Sequence, residues 1–223
     1  MSVHVVSFAV ATAVALPLLA QDGGEPAGKT LAAAHPYLVT KPPLTQEDHR
    51  ILVALRKVCS MDAESQPLTQ FAEKISRLIG VPVRVDSRAL RQEKPIIDPE
   101  VGITAQYEKI SMLLRLWEVL PKHHLEYRVV AGELVITTET QACQHLVTWT
   151  FPVADLCASD AEFNQLTRKV LGMTPEADWE AVGGFASFMP DPANRRFTLI
   201  HKQSSQDRVL YFLTQQRLAR RGR

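Results

Sequence analysis

Two adjacent histidines, His123 and His124, are the side chains best suited by type to hold a metal ion or to transfer a proton. They follow Pro121, where a predicted helix ends and where a cation interacts favourably with the helix dipole. Neighbouring side chains on a helix or strand point in different directions, and neither a Glu-x-x-His nor a His-x-x-x-His spacing accompanies the pair. We interpret both as surface residues at a helix end, and no metal site is predicted.

Other motifs for catalysis are equally weak. The sequence has no G-x-S-x-G motif that would place a serine nucleophile on a strained turn. Gly183 and Gly184 lack the lysine and the helix start of a P-loop, so a turn or close backbone packing beside Trp179 explains them better. Neither a catalytic residue nor a cofactor is therefore expected. One alternative stays open, an envelope hydrolase or carbohydrate-active protein with an unrecognised site near Asp178 and Glu180.

Three cysteines, Cys59, Cys143 and Cys157, are an odd number without metal-ligand spacing. Cys59 alternates with Met61 and Ala63, which indicates the inward face of a strand. Cys143 and Cys157 flank another predicted strand, and an oxidising compartment would allow them to form a disulfide. Inert, buried or half-buried thiols are the favoured interpretation.

The composition is that of a globular protein. Of 223 residues, 46% are hydrophobic, and 25 basic side chains nearly balance 24 acidic ones. A broad nucleic-acid surface would tilt that balance, so no nucleic-acid partner is expected. The basic end, RLARRGR, fits a last helical turn and a solvated tail. An RNA-binding KH fold is the least favoured function, because the GXXG loop that clamps nucleotides is absent.

The amino-terminal region differs from the rest of the chain. Val5 to Ala20 is apolar and uncharged, too short for a typical membrane span but suited to a secretory signal peptide, here residues 1–20. No Lys or Arg precedes it, so the leader is atypical, and a retained short anchor is the alternative. Residues 21–43 are rich in Gly, Ala and Pro and are predicted to be a flexible linker. We expect an exported protein of the periplasm or cell envelope without a membrane span after leader removal.

Hydrophobic periodicity predicts an α+β chain of two small modules, each a short sheet packed against two helices, of βαββ and βαββα types. The first module, residues 44–140, begins with a short lead-in helix. Its hairpin, LEYRVVAGELVITT, places Tyr127 opposite Ile136 and Val129 opposite Leu134 across the two-residue turn Ala131-Gly132. The second module, residues 146–220, contains a capping box at 159–162 and ends in a helix that starts after residue 205.

Edge strands are the remaining candidates for a function. Val81, Val83 and Val85 alternate in a short strand that Pro82 confines to the edge or end of a sheet. Such an edge can accept an extra strand from a partner, and the strand at 59–63 is a second candidate. Trp179 lies among charges in an irregular segment and is a candidate partner contact. Trp117 and Trp149 are assigned to the core.

Segments 66–90 and 103–139 resemble the secretin and TonB short N-terminal domain. The matching features are a helix started by a proline, a GVPVRVD strand, an IT…IS step from strand to helix, and the LEYRVVAGELVIT hairpin. The motifs PVADL and DWEAVGG then resemble the small domain that follows it in secretin-like envelope proteins. Together the two resemblances cover roughly residues 44–219.

This resemblance implies a non-enzymatic, periplasmic docking fold that engages other envelope proteins or itself in protein secretion. Secretins continue into a large membrane barrel, and the sequence contains no run of alternating ten-residue membrane strands. We therefore do not expect these residues to form a pore by themselves. Partner identity and oligomeric state do not follow from the sequence.

Overall fold

The computed structural model describes residues 39–41, 44–175 and 178–222, and these form a mixed α+β fold, as predicted. The predicted signal peptide and most of the predicted linker lie outside the described residues. The first elements are β1 (Val39–Lys41), α1 (Gln46–Ala54), β2 (Val58–Pro67), α2 (Leu68–Ile79), β3 (Val83–Val85), α3 (Ser87–Gln92), β4 (Gly102–Ser111), α4 (Met112–Val119), β5 (Leu125–Val130) and β6 (Glu133–Thr138). The later ones are α5 (Glu139–Cys143), β7 (Val147–Pro152), α6 (Asp160–Leu171), β8 (Ser187–Asp191), β9 (Arg196–His201) and α7 (Gln203–Arg221).

The described strands form three sheets. β2 and β4 form a two-stranded antiparallel ribbon, and β3, β6 and β5 form a second sheet in that order. β3 runs parallel to β6, whereas β5 is antiparallel to it. The third sheet has the order β1-β7-β9-β8. The first module thus contains two small sheets where the sequence predicted one.

β1 corrects the predicted linker. Its three residues lie within the segment 21–43, and they pair antiparallel with β7, with Thr40 opposite Trp149. The linker prediction is wrong for these residues, because their backbone completes one edge of the third sheet. The Gly- and Pro-rich composition around them concealed a strand of only three residues.

Helix ends follow the predicted capping signals. α2 starts after Pro67 and ends at Gly80, whose φ of 73° is in the left-handed region. Ser111 Oγ accepts a hydrogen bond from Leu114 N at the start of α4, and Ser159 and Glu162 form the predicted capping box of α6. α7 starts at Gln203, earlier than predicted.

The predicted hairpin is confirmed in detail. Tyr127 pairs with Ile136 and Val129 with Leu134, across a turn in which Ala131 has a φ of 50°. A positive φ costs an alanine about 1 kcal/mol. The turn is anchored against α1, because Gly132 N donates a hydrogen bond to Asp48 Oδ1 at 3.0 Å. That bond fixes the hairpin turn to α1.

The basic end forms the last turn of α7, as predicted, but two of its arginines also make hydrogen bonds within the chain. Arg217 donates to Asp155 Oδ1 at 2.9 Å, and Arg220 donates to the Leu156 carbonyl at 2.7 Å. Both acceptors belong to the PVADL segment, which forms a short 3-10 helix. The end of α7 is therefore fastened to the loop after β7.

The buried apolar side chains form two clusters. The first cluster includes Ile51, Leu68, Phe71, Ile75, Ile103, Leu116, Leu125, Tyr127, Leu134 and Ile136. The second cluster includes Leu52, Trp149, Phe151, Phe163, Trp179, Phe197, Leu199, Val209 and Leu213. α1 contributes to both, since Ile51 and its neighbour Leu52 point into different clusters. The predicted domain bounds stay a prediction.

A polar layer lies between the two clusters and consists of Glu126, Tyr127, Glu139, Lys202, Gln203 and Asp207. Lys202 Nζ lies 2.9 Å from Oε1 of Glu126 and 3.1 Å from Oε1 of Glu139. Tyr127 Oη donates a hydrogen bond to Asp207 Oδ2 at 2.8 Å and accepts one from Trp117 Nε1 at 3.2 Å. β5 and the start of α7 are joined by these bonds, since Glu126 and Tyr127 come from β5 and Asp207 from α7.

Candidate interaction surfaces

β3 is the outer strand of its sheet and presents unpaired backbone groups. The Pro82 carbonyl accepts a hydrogen bond from Leu134 N, and Asp86 N donates to the Ile136 carbonyl. Alternate residues of a parallel strand bond to the same neighbour, so the backbone groups of Val83 and Val85 point away from β6. No described residue bonds to them. We call these outward N–H and C=O groups the β3 edge.

The structure places the three predicted valines differently. Val81 precedes β3, its side chain is buried in the first cluster, and its carbonyl accepts a hydrogen bond from Ser76 Oγ at 2.7 Å. Val81 is therefore not a surface residue, because Gly80 turns the chain inward before the strand begins. Val83 and Val85 are half-buried, with side chains packed on the first cluster. Their backbone, and not their side chains, is what a partner can reach.

Most of the other outer strands are interrupted or covered. The β2–β4 ribbon has register shifts at 59–61 and 63–66, and Ser65 has a φ of 46°. Such bulges twist an edge away from pairing. β8 contains Pro190, which has no N–H, and β5 packs against α7. β1 is an outer strand of three described residues, the same length as β3.

Several exposed cations follow β3 along the chain. Arg84 pairs with Glu133 at 3.1 Å, whereas Arg88, Arg91 and Lys94 are exposed and make no ion pair within the described residues. We call these three the basic segment. Two acids close to them in sequence make hydrogen bonds within the chain. Asp86 caps α3 by accepting from Ala89 N, and Glu93 accepts from Thr140 Oγ1 at 2.8 Å.

A groove between α6 and β8 is a second candidate surface. This groove has a volume of about 1030 Å³, and its lining includes Leu171, Trp179, Val182, Phe188 and Pro190. The Trp179 indole is only 9% exposed, because its ring packs edge-on against Phe188 and against His201. The sequence placed Trp179 in an irregular, charged segment. The structure places most of its ring in the second cluster and leaves only a small part facing the groove.

The predicted alternative site near Asp178 is built around a buried histidine. His201 Nδ1 accepts a hydrogen bond from Lys202 N at 2.8 Å, which leaves the proton of a neutral ring on Nε2, 3.6 Å from Asp178 Oδ2. Burial lowers the pKa of His201 to about 3 and raises the pKa of Asp178. His201 is therefore neutral near pH 7 and has no exposed surface from which to meet a substrate. Glu180 is exposed and lines the groove.

The thiols and the histidine pair are the remaining side chains that the sequence singled out. All three cysteines are free, and burial raises the pKa of Cys143 to about 11, which disfavours a reactive thiolate. His123 and His124 lie at the end of the 3-10 helix that follows α4. Within the described ranges, no group of His, Cys, Asp or Glu side chains is arranged to hold a metal ion. Among these same residues, no helix is both long and apolar enough to cross a bilayer.

Comparisons with known proteins find similarity in structure alone. No protein-family model matches the chain, and no curated protein matches it. A solved structure of XcpQN012, from the N-terminal region of a type II secretion secretin, is similar over 71% of this chain, with 12% identity and a TM-score of 0.29. The match spans 64% of the XcpQN012 chain, slightly less than two thirds of its length.

Proposed function

We propose that this protein is a non-enzymatic docking module, exported to the cell envelope, that binds another protein by accepting a strand at the β3 edge. The observation that carries the proposal is the outward-facing backbone of Val83 and Val85. Main-chain hydrogen bonds to an added strand supply affinity in this mode, and alternate side chains supply specificity. The resemblance to the secretin and TonB short N-terminal domain supports the same class of function.

Site-specific cross-linking in cells tests this proposal. A photoreactive side chain at Arg84, the exposed residue of β3, is expected to capture one defined envelope protein, whereas the same group at Arg168 on α6 is not. Val85→Pro removes one outward N–H and leaves the bonds of Arg84 and Asp86 to β6 in place. Capture is expected to be lost in that variant while its thermal melting stays close to that of the unmodified protein.

Hydrogen exchange provides a second measurement if the proline variant folds poorly. The amides of Val83 and Val85 are expected to become protected in the unmodified protein when the captured partner is added. Equal capture from positions 84 and 168, or unchanged exchange at both amides, would contradict docking at this edge. Protease accessibility of the full chain in cells with a permeabilised outer boundary tests export separately.

A hydrolase or carbohydrate-active function is the second candidate. It is favoured by one observation, that Glu180 lines an apolar groove beside Asp178, whose pKa is raised by burial. Turnover of a glycan or peptide by the purified protein, abolished by Glu180→Gln, would establish it. The same substitution is expected to leave cross-linking from position 84 unchanged.

A further inference from the structure

The β3 edge ends beside three cations that form no ion pair among the described residues. α3 starts one residue after Asp86, so Arg88 lies at most about 11 Å from Val85 along the chain. Arg88 and Arg91 are three positions apart and lie on the same side of α3. Both are exposed and unpaired among the residues that the structure describes, as is Lys94. Any strand added to β3 therefore runs towards or away from these three cations, with Glu93 as the intervening acid.

We propose, building on the docking function above, that the strand accepted by β3 belongs to an acidic, extended segment of another protein. Its backbone pairs with Val83 and Val85, and its carboxylates lie against the basic segment. Charge complementarity of this kind at an interface rim steers association and selects between partners. A basic or neutral strand meets the same backbone but leaves the cations without partners.

A second copy of this chain is a weaker candidate for the added strand. The β2–β4 ribbon carries the exposed acids Asp62, Glu64 and Glu108, but both of its strands are interrupted. Ser65 in β2 and Lys109 in β4 have φ values of 46° and 50°, and the register shifts twice along the ribbon. A bulged edge pairs poorly with a second strand, so a regular acidic strand from a different protein fits better.

Binding of three short synthetic peptides to the full purified chain tests the proposal. One alternates valine with glutamate, one alternates valine with lysine, and the third is the acidic peptide with a central proline. The acidic peptide is expected to bind at least about tenfold more tightly than the lysine peptide, with an affinity that falls as salt is added. The proline peptide is expected to lose binding, because its backbone cannot pair fully.

Charge reversal identifies the cations responsible. Arg88→Glu with Arg91→Glu is expected to weaken the acidic peptide about tenfold and to strengthen the lysine peptide. Arg168→Glu with Lys169→Glu makes the same change in net charge on exposed residues of α6 and is expected to alter neither. Since all four positions are exposed, unfolding is not expected in either variant.

The outcomes separate this proposal from the docking function itself. If both charged peptides bind equally and Val85→Pro abolishes both, strand addition stands and the acidic preference is wrong. If neither peptide binds, or if the proline peptide binds as well as its parent, strand addition at β3 is wrong as well. Self-association that is lost with Arg88→Glu and Arg91→Glu and restored by Asp62→Arg and Glu64→Arg would replace the foreign strand with a second copy.

Discussion

The two apolar clusters and the polar layer between them are held together by different interactions. Each cluster is built from side chains that recur at helical or strand spacing, and their burial is non-directional. The polar layer depends instead on the direction of a few bonds, chiefly those of Tyr127, Lys202 and Asp207. This difference indicates that the layer sets the relative position of the two halves, whereas the clusters supply most of the stability.

Phe71→Ala and Phe151→Ala are expected to have the largest effects, because each leaves a large cavity in one cluster. Both rings are almost fully buried, and each substitution should lower the free energy of unfolding by about 4 kcal/mol. Chemical denaturation followed by fluorescence measures this. A loss below about 1 kcal/mol at either site would contradict the assignment of that residue to a cluster.

Lys202→Met is expected to lower the free energy of unfolding by about 3 to 5 kcal/mol. This is as much as a core cavity costs, although no apolar contact is lost. Burial lowers the pKa of Lys202, but the carboxylates of Glu126 and Glu139 raise it by more. The ammonium is therefore charged near neutral pH. Its removal leaves Glu126, which is 6% exposed, as a buried charge without its partner. Adding Glu126→Gln should restore most of the loss, and full additivity of the two substitutions would contradict the pairing.

Asp207→Asn is expected to change how stability depends on pH. Burial raises the pKa of Asp207 to about 6, while hydrogen bonds from Tyr127 and Gln203 and the charge of Arg56 oppose the rise. A carboxyl whose pKa is raised on folding contributes most stability below about pH 4 and loses it as pH rises through 6. As pH rises from about 4 to above 6, the free energy of unfolding of the variant should therefore rise by on the order of 3 kcal/mol relative to that of the parent. Urea unfolding across this pH range measures the difference.

His201 acts in the opposite direction over the same range, so only the difference between parent and variant isolates Asp207. Its pKa is lowered by burial to about 3, and protonation therefore favours the unfolded chain as pH falls below about 6.5. Parallel pH profiles for parent and Asp207→Asn would contradict a raised pKa of Asp207 in the folded state.

Tyr127→Phe is expected to have the smallest effect, about 1 to 2 kcal/mol, because it removes one hydroxyl and leaves the ring in the first cluster. Loss of the bond that lowers the pKa of Asp207 should raise that pKa further. Nuclear magnetic resonance titration of the Asp207 carboxyl measures the shift. A fall in this pKa would contradict the hydrogen bond.

Alternation in the sequence was sufficient to predict the hairpin, and apolar residues three or four positions apart were sufficient to predict most helices. The register of β5 and β6 follows from the requirement that Tyr127 and Ile136 face the same core, since a slip by one residue would expose both. Helix ends were equally accessible, because Pro67, Gly80 and Ser159 signal them locally. These features depend on neighbours within a few positions, which a single sequence displays.

Features that depend on distant residues could not be predicted in this way. Asp207 and Tyr127 are 80 residues apart in the chain, and nothing near either one indicates the other. The buried position of Trp179 depends on β9, which supplies His201. The choice of β3 as an open edge required its parallel pairing with β6, which alternation cannot distinguish from antiparallel pairing.

The pairing of β1 with β7 has a consequence for the order in which the chain can fold. Val39 is synthesised about a hundred residues before Thr150, its partner. During translation, β1 therefore cannot pair until β7 has been synthesised, so the first described strand is placed late. Closure of so long a loop is slow and is entropically costly. The third sheet therefore cannot be complete until residue 201 has been synthesised.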